Sequence, residues 1–184
     1  MLDFFDRRLA KVLDAGSAEW VNVGADQIIT PGLGIQTNDD AQVESRWRVK
    51  SDDAYDPFGR DGKFLEVECK NIQDVERKTL AVKDKVPELS GGMLHWLVVA
   101  KSATATTANL SIAVGAEEGP YVVLSKKHVA IRNRPTPFYI SLPASDIIAE
   151  FGEGPLRYRL NTTFPGGDHL SLQILDIRFC QLPL

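Results

Sequence analysis

From residue 63 to residue 179, apolar and polar positions alternate in short runs, and that period of two predicts a row of β-strands. Residues 64–69 carry Leu65 and Val67 on one phase. Residues 80–86, 109–114, 121–124, 129–131 and 138–142 follow the same rule. Residues 93–100 are apolar on both phases, as a central strand buried on both faces would be. Leu156, Tyr158 and Leu160 predict a strand that turns Arg157 and Arg159 to its other face. In the closing strand the apolar phase switches at Ile174-Leu175, which predicts a β-bulge there. Ser90-Gly91-Gly92 and residues 165–168 are turn chemistry, and residues 143–152 predict a short helical connection. Strands recurring about every 8–12 residues are the signature of an antiparallel β-sandwich.

The N-terminal pattern is different. Leu2, Phe5, Leu9, Val12 and Leu13 recur at helical spacing and predict an amphipathic helix over residues 2–14, stopped by Gly16. The expected organisation is therefore a helix over 1–16 and a sandwich domain over 17–184. Residues 19–23 and 43–49 alternate and predict two further strands. Residues 51–62 form a long polar loop that carries Tyr55 and Phe58 among Asp52, Asp53 and Asp56.

Composition narrows the classes. A 184-residue chain with 43% apolar and 25% charged residues suits one globular domain. Its formal charge of −4 gives no general bias toward nucleic acid or an anionic membrane, so neither is an expected partner. The charge is uneven, with 18 acids and 13 bases in residues 1–92 against 7 and 8 in residues 93–184. No apolar run reaches the ~18 residues of a membrane span. The start, Met-Leu-Asp-Phe-Phe-Asp-Arg-Arg, lacks the basic-then-apolar order of a secretory signal, so the expectation is a chain cytoplasmic as synthesised, or a virion component. Cys69 and Cys180 fall on opposite phases relative to their apolar neighbours, which argues against a disulfide.

The order of short words adds a resemblance. Asp61-Gly-Lys-Phe-Leu-Glu-Val, a strand ending near Val86, Leu89-Ser-Gly-Gly92, and then Leu94 to Ala100-Lys101-Ser102 resemble the jelly-roll carbohydrate-binding modules. Residues 138–142 and 172–179 resemble that family's closing strands. The resemblance spans about residues 17–182 and implies an all-β fold, an antiparallel jelly-roll β-sandwich, here with a short N-terminal α-helix. It implies glycan as the ligand. In that family an Asp of the last strand helps to hold a structural calcium ion, a role the resemblance carries to Asp176.

Several constellations carry candidate chemistry. Sugar rings stack on flat aromatic faces flanked by polar groups. Trp20, Trp47, Tyr55, Phe58, Tyr121 and Tyr139 are the candidate rings, with Asp53 and Asp56 beside the loop pair, whereas Trp96 sits in the most apolar strand and reads as core. Arg157 and Arg159 form an outward basic pair suited to phosphate or a carboxylated glycan. Glu66, Glu68 and Lys70 share one strand face. That spacing also occurs in metal-dependent nucleases, but the strands that follow leave no room for a nuclease fold. No Gly-x-Ser-x-Gly and no His-x-His is present, so the expectation is binding without catalysis. The alternative is a structural subunit of a virion or other assembly, as a homo-oligomer or with a partner docked on Leu2, Phe5, Leu9, Val12 and Leu13.

Overall fold

The computed structural model describes residues 2–3, 6–23, 28–30, 33–37, 44–58, 60–70, 78–86, 91–104, 106–116, 120, 122–152, 156–164 and 169–182. In chain order these form β1 (Leu2–Asp3), α1 (Asp6–Ala15), β2 (Val21–Val23), β3 (Ile28–Thr30), β4 (Leu33–Thr37) and β5 (Glu44–Ser51). Two 3-10 turns, Asp53–Phe58 and Arg60–Gly62, lead into β6 (Lys63–Lys70) and β7 (Lys78–Val86). Then come β8 (Met93–Ser102), β9 (Thr106–Ala116), β10 (Val122–Ile131), β11 (Thr136–Pro143), α2 (Ala144–Phe151), β12 (Leu156–Phe164) and β13 (His169–Leu182).

The strands make two antiparallel sheets. One runs β11-β8-β13-β6-β5-β2 with β1 added against β13, and the other runs β10-β9-β12-β7-β4-β3. The expected all-β jelly-roll sandwich is the fold observed. Between the sheets lies one core. Leu94, Trp96, Val98 and Ala100 of β8, Phe138, Ile140 and Leu142 of β11, and Leu172, Ile174 and Ile177 of β13 face Leu110, Ile112 and Val114 of β9. Alternation supplies these side chains, because every second residue of a strand points the same way. Trp96 is 1% exposed, as its apolar strand predicts, and its indole Nε1 has no hydrogen-bond partner among the described residues.

The phase switch in β13 is a bulge. The register of β13 against β8 slips between Ile174 and Asp176, so that Ile174 opposes Ala100 and Asp176 opposes Val99. The extra residue, Leu175, turns to the far side of the sheet and is 1% exposed there. It joins Tyr55, Phe64 and Val99 in a second, smaller apolar cluster. Hence both adjacent apolar residues are buried, each on its own face.

The N-terminus departs from expectation in three ways. The helix begins at Asp6, because Leu2 and Asp3 pair as a strand with Gln181 and Cys180. It is no separate appendage, since Leu9, Val12 and Leu13 belong to the main core at 1%, 4% and 2% exposure. The expected docking surface on this stripe is therefore corrected: those side chains already have partners within the chain. Only the backbone of Leu2 is described, and Phe5 lies outside the described residues. Gly16 ends the helix as predicted, with its N–H donating to the Val12 carbonyl at 2.7 Å. The reason is contact rather than backbone strain. A Cβ there would lie 2.4 Å from both Val12 O and Val49 Cγ2, so only glycine lets the helix end touch β5.

Smaller differences follow from context. Residues 122–124 and 129–131 belong to one edge strand, β10, with polar residues in its middle. An edge strand can carry Lys126 and Lys127 where a central one cannot. Lys127 Nζ donates to the Tyr139 carbonyl at 3.2 Å and so ties this edge to β11 of the other sheet. Cys69 stands opposite Leu170, and Cys180 lies ten residues further along β13, on the order of 30 Å by strand rise, which rules out a disulfide. No helix among the described residues is long and apolar enough to cross a membrane.

Because α1 is core, Leu9→Ala is expected to cost about 2–5 kcal/mol in chemical denaturation. Removing residues 1–15 should abolish the cooperative transition. A truncated chain that melts like the full one would show that the helix is dispensable.

Candidate functional site

Each sheet turns one face outward, and the two faces are built differently. On the outer face of the β11–β2 sheet, charged residues meet opposite charges by register. Arg46 stands opposite Glu68 and Arg48 opposite Glu66. Arg46 Nε donates to Glu68 Oε2, and Arg48 Nε donates to Glu66 Oε2 at 2.6 Å. Both guanidinium carbons also lie over the Trp20 ring, at 4.2 and 4.1 Å from its centroid. Gln173 Nε2 donates to the other oxygen of Glu66 at 3.4 Å, while its own Oε1 accepts from the Tyr55 hydroxyl at 3.4 Å. A hydrogen-bonded chain thus crosses β13, β6 and β5. Glu66, Glu68 and Lys70 read as the charged face of a strand rather than as a metal centre.

Tyr55 departs from its expected role as a stacking ring. It is 6% exposed, meets Phe64 edge-on at 5.3 Å between centroids, and has Lys101 Nζ 5.2 Å from its centroid. The 3-10 turn makes this possible: Tyr55 N–H donates to Asp52 O and Ala54 N–H to Asp52 Oδ1, closing the loop and aiming the ring at the sheet. Tyr55 is the staple that holds the loop over Leu175. Asp53 is exposed on that loop, whereas only the backbone of Asp56 and Phe58 is described. Trp47 occupies the inward phase of β5 and packs half-buried against the main core. Tyr121 lies outside the described residues.

Asp176 is 4% exposed, and its Oδ2 accepts from Arg178 Nε at 2.6 Å. A calcium ion takes six to eight oxygens, largely carboxylate and carbonyl. Among the described residues no group of three His, Cys, Asp or Glu side chains converges to hold a metal. A guanidinium against the one carboxylate disfavours a second cation there. The residues described do not fit a calcium ion at Asp176.

Farther along the same face, Tyr139 is 44% exposed and stacks on His95 at 5.4 Å, with its hydroxyl bonded to His95 Nδ1. Sequence reasoning put Tyr139 among six rings without separating it from the others. His95 gave no signal, since a histidine inside an apolar run reads as core.

The outer face of the β10–β3 sheet is different. Register sets it out in rows across four strands. His128, Asn109, Thr163 and Thr79 form one row, and Lys126, Ser111, Asn161 and Ala81 the next. Val123, Ala113, Arg159 and Lys83 follow, then Gly115, Arg157 and Lys85. Gln36 of β4 extends the first row beyond Thr79. Opposite phases of β9 supply Leu110, Ile112 and Val114 to the core, so these rows lie on the other face of the sheet, where His128 and Lys126 of the edge strand β10 are exposed while Ser111 and Ala113 of β9 are buried. Among the described strands of this sheet, no Asp or Glu stands on that phase. His128 Nδ1 and the Asn109 amide oxygen are 3.2 Å apart, a hydrogen bond in which the imidazole donates. Arg157 and Arg159, an outward pair in the sequence, lie on this face. The neighbours that complete it, Lys83 and Lys85, were invisible in sequence because strand pairing across 70 residues was not known.

Substitutions at the staple check this account. Tyr55→Ala is expected to destabilise by about 3–5 kcal/mol, as for buried aromatics in general. Tyr55→Phe should cost under about 1 kcal/mol, because the hydroxyl bond is long. Equal losses for the two variants would place the stabilisation in the hydroxyl instead of the ring.

Among solved structures, a carbohydrate-binding module of the β-sandwich superfamily, described for its promiscuous specificity, aligns with a TM-score of 0.56. That alignment covers 82% of this chain and 57% of the other, at 8% identity. A family 11 carbohydrate-binding module from Clostridium thermocellum, in complex with a β-1,3-1,4-mixed-linked tetrasaccharide, aligns over 91% of this chain and 97% of that one, with a TM-score of 0.49 and 10% identity. The enzymatically active domain of tailspike protein 4 of bacteriophage CBA120 aligns over 93% of this chain and 20% of that one, with a TM-score of 0.47 and 13% identity. No protein-family model and no curated protein matches the chain. The chain has the jelly-roll β-sandwich fold of the carbohydrate-binding modules.

Proposed function

We propose that this domain is a non-catalytic glycan-binding module whose ligand lies across the outer face of the β10–β3 sheet. The observation that carries the reading is the make-up of that face. By register, Asn109, Asn161, Thr163, Thr79 and Gln36 occupy one phase of adjoining strands beside the exposed His128 and Lys126 of β10, with no carboxylate on that phase among the described positions. A sugar chain is a ladder of hydroxyls, each of which both donates and accepts. Amides, hydroxyls and cations in a flat array are the partners it needs. The opposite face is poorer in such partners, because its charges are engaged with one another and its loop is stapled down by Tyr55. The fold shared with carbohydrate-binding modules agrees with the reading. Glycoside hydrolysis ordinarily takes two carboxyl groups across the scissile bond, and this face supplies none among its described residues.

The purified domain should bind at least one polysaccharide on an array that includes mixed-linked β-glucan and β-1,4-galactan. The double variant Asn161→Ala/Thr163→Ala should weaken binding about tenfold, two hydrogen bonds at roughly 0.5–1.5 kcal/mol each. Tyr139→Ala, on the other sheet, should leave binding unchanged. Loss of binding through Tyr139 alone, or a blank array, overturns the reading.

A further inference from the structure

We propose that the free edge of β10 is a docking strand for an extended acidic segment of a partner protein, which adds to the sheet as a further strand and sets its carboxylates against Lys126, Lys127, Arg132 and Arg134. β10 ends its sheet, so the N–H and C=O groups along its outer edge pair with no described strand. It runs ten residues, Val122–Ile131, about 30 Å of template. All four cations are exposed. Residues 119–145 hold these four and no Asp or Glu, in a chain whose acids outnumber its bases, 25 against 21. No carboxylate among the described residues pairs with any of the four, whereas Arg46, Arg48 and Arg178 each have one. Backbone groups hold the turn that carries the arginines. The Arg132 carbonyl accepts from the Ser102 N–H at 2.9 Å, and the Arg134 carbonyl accepts from Thr136 Oγ1 at 3.0 Å.

Charge is not the whole of this edge. Of the large apolar side chains exposed among the described residues, Val122 and Val123 lie on β10 itself, at 37% and 55%. Tyr139, at 44%, lies on the neighbouring β11, where Lys127 bonds its carbonyl. A bare edge is open to any strand, and proteins guard such edges with lysines and bulges. β10 has both, its bulge lying between Val123 and Ser125. A guard made of charge is selective. A second copy of β10 brings the same cations and is repelled, while an acidic strand is attracted. Side chains two residues apart on an added strand stand about 7 Å from each other, so alternate carboxylates can follow the edge with apolar residues between them. Backbone hydrogen bonds to the edge supply affinity, and the alternating side chains supply specificity. A polysaccharide or nucleic acid would meet the cations but could not extend the ladder.

The test titrates a twelve-residue peptide of alternating Glu and Val into the isotopically labelled full chain and follows the backbone amides by NMR at 50 and 500 mM NaCl. Shifts should concentrate at residues 122–134, with a Kd of about 1 mM or tighter at low salt, and binding should weaken at least fivefold at high salt. A peptide with Lys in place of Glu should bind at least tenfold more weakly. One with Pro in place of Val keeps the charge but loses N–H donors to the edge, and should bind at least fivefold more weakly. The double variant Arg132→Gln/Arg134→Gln should lose at least fivefold for the acidic peptide, with its melting temperature and its glycan-array pattern unchanged. Should it fail to fold, Arg134→Gln alone and the peptide series on the unaltered chain still decide the matter. No shifts, shifts centred elsewhere, or equal binding of the proline peptide overturns the docking strand. Dextran sulfate or a single-stranded oligonucleotide that moves the same amides at lower concentration than the peptide overturns the choice of a protein partner. Self-association through these amides as the protein is concentrated makes a second copy the occupant and overturns it too.

Discussion

The fold depends on one strand with one extra residue. β13 runs from His169 to Leu182, pairs with β8 along one side, and meets β6 and then β1 along the other. Simple alternation would let it fill a single face. The bulge at Leu175 lets Ile174 and Ile177 enter the main core while Leu175 fills the outer cluster under Tyr55. Two hydrophobic clusters on opposite faces of one sheet are thus joined through adjacent residues of one chain. The loop at 51–62 is ordered by the second cluster, and that cluster exists because the register slips.

Much of this was legible in the sequence, and the reasons are physical. Alternation reports which way a side chain points, and the paired apolar residues Ile174-Leu175 break it in the only way a buried strand can. Trp96 and α2 were readable on the same grounds. The helix over residues 6–15 was readable as an amphipathic stripe, but not its destination. Leu9, Val12 and Leu13 look the same whether they face their own core or a partner. What decides between these is the space above β5, and Gly16 was the mark of it: a glycine at a helix end is ambiguous in sequence and unambiguous once Val49 lies within 2.4 Å of the missing Cβ.

The candidate site was half legible for a related reason. Arg157 and Arg159 could be assigned to an outward face from their own strand alone. Their partners could not, since Lys83 and Lys85 come from a strand some 70 residues away and register is set by pairing. The aromatic residues misled in the other direction. A tyrosine among aspartates resembles an exposed sugar platform, yet in Tyr55 the backbone turn set by Asp52 directs the ring inward, while Asp52 and Asp53 stay exposed.

The contrast between the two outward faces is the strongest argument about function. A β-sandwich needs only its inner faces for stability, so the outer faces record other demands. On one outer face Arg46 and Arg48 of β5 each have a glutamate across the strand, and Trp20 lies against both arginines. The other places amide and hydroxyl residues on one phase of adjoining strands, with no carboxylate on that phase among the described positions. A surface shaped by solubility alone would mix signs on both sheets, as the first does. Paired charges on one face and a carboxylate-free phase on the other, within one chain and one register system, fit a face reserved for a polar ligand.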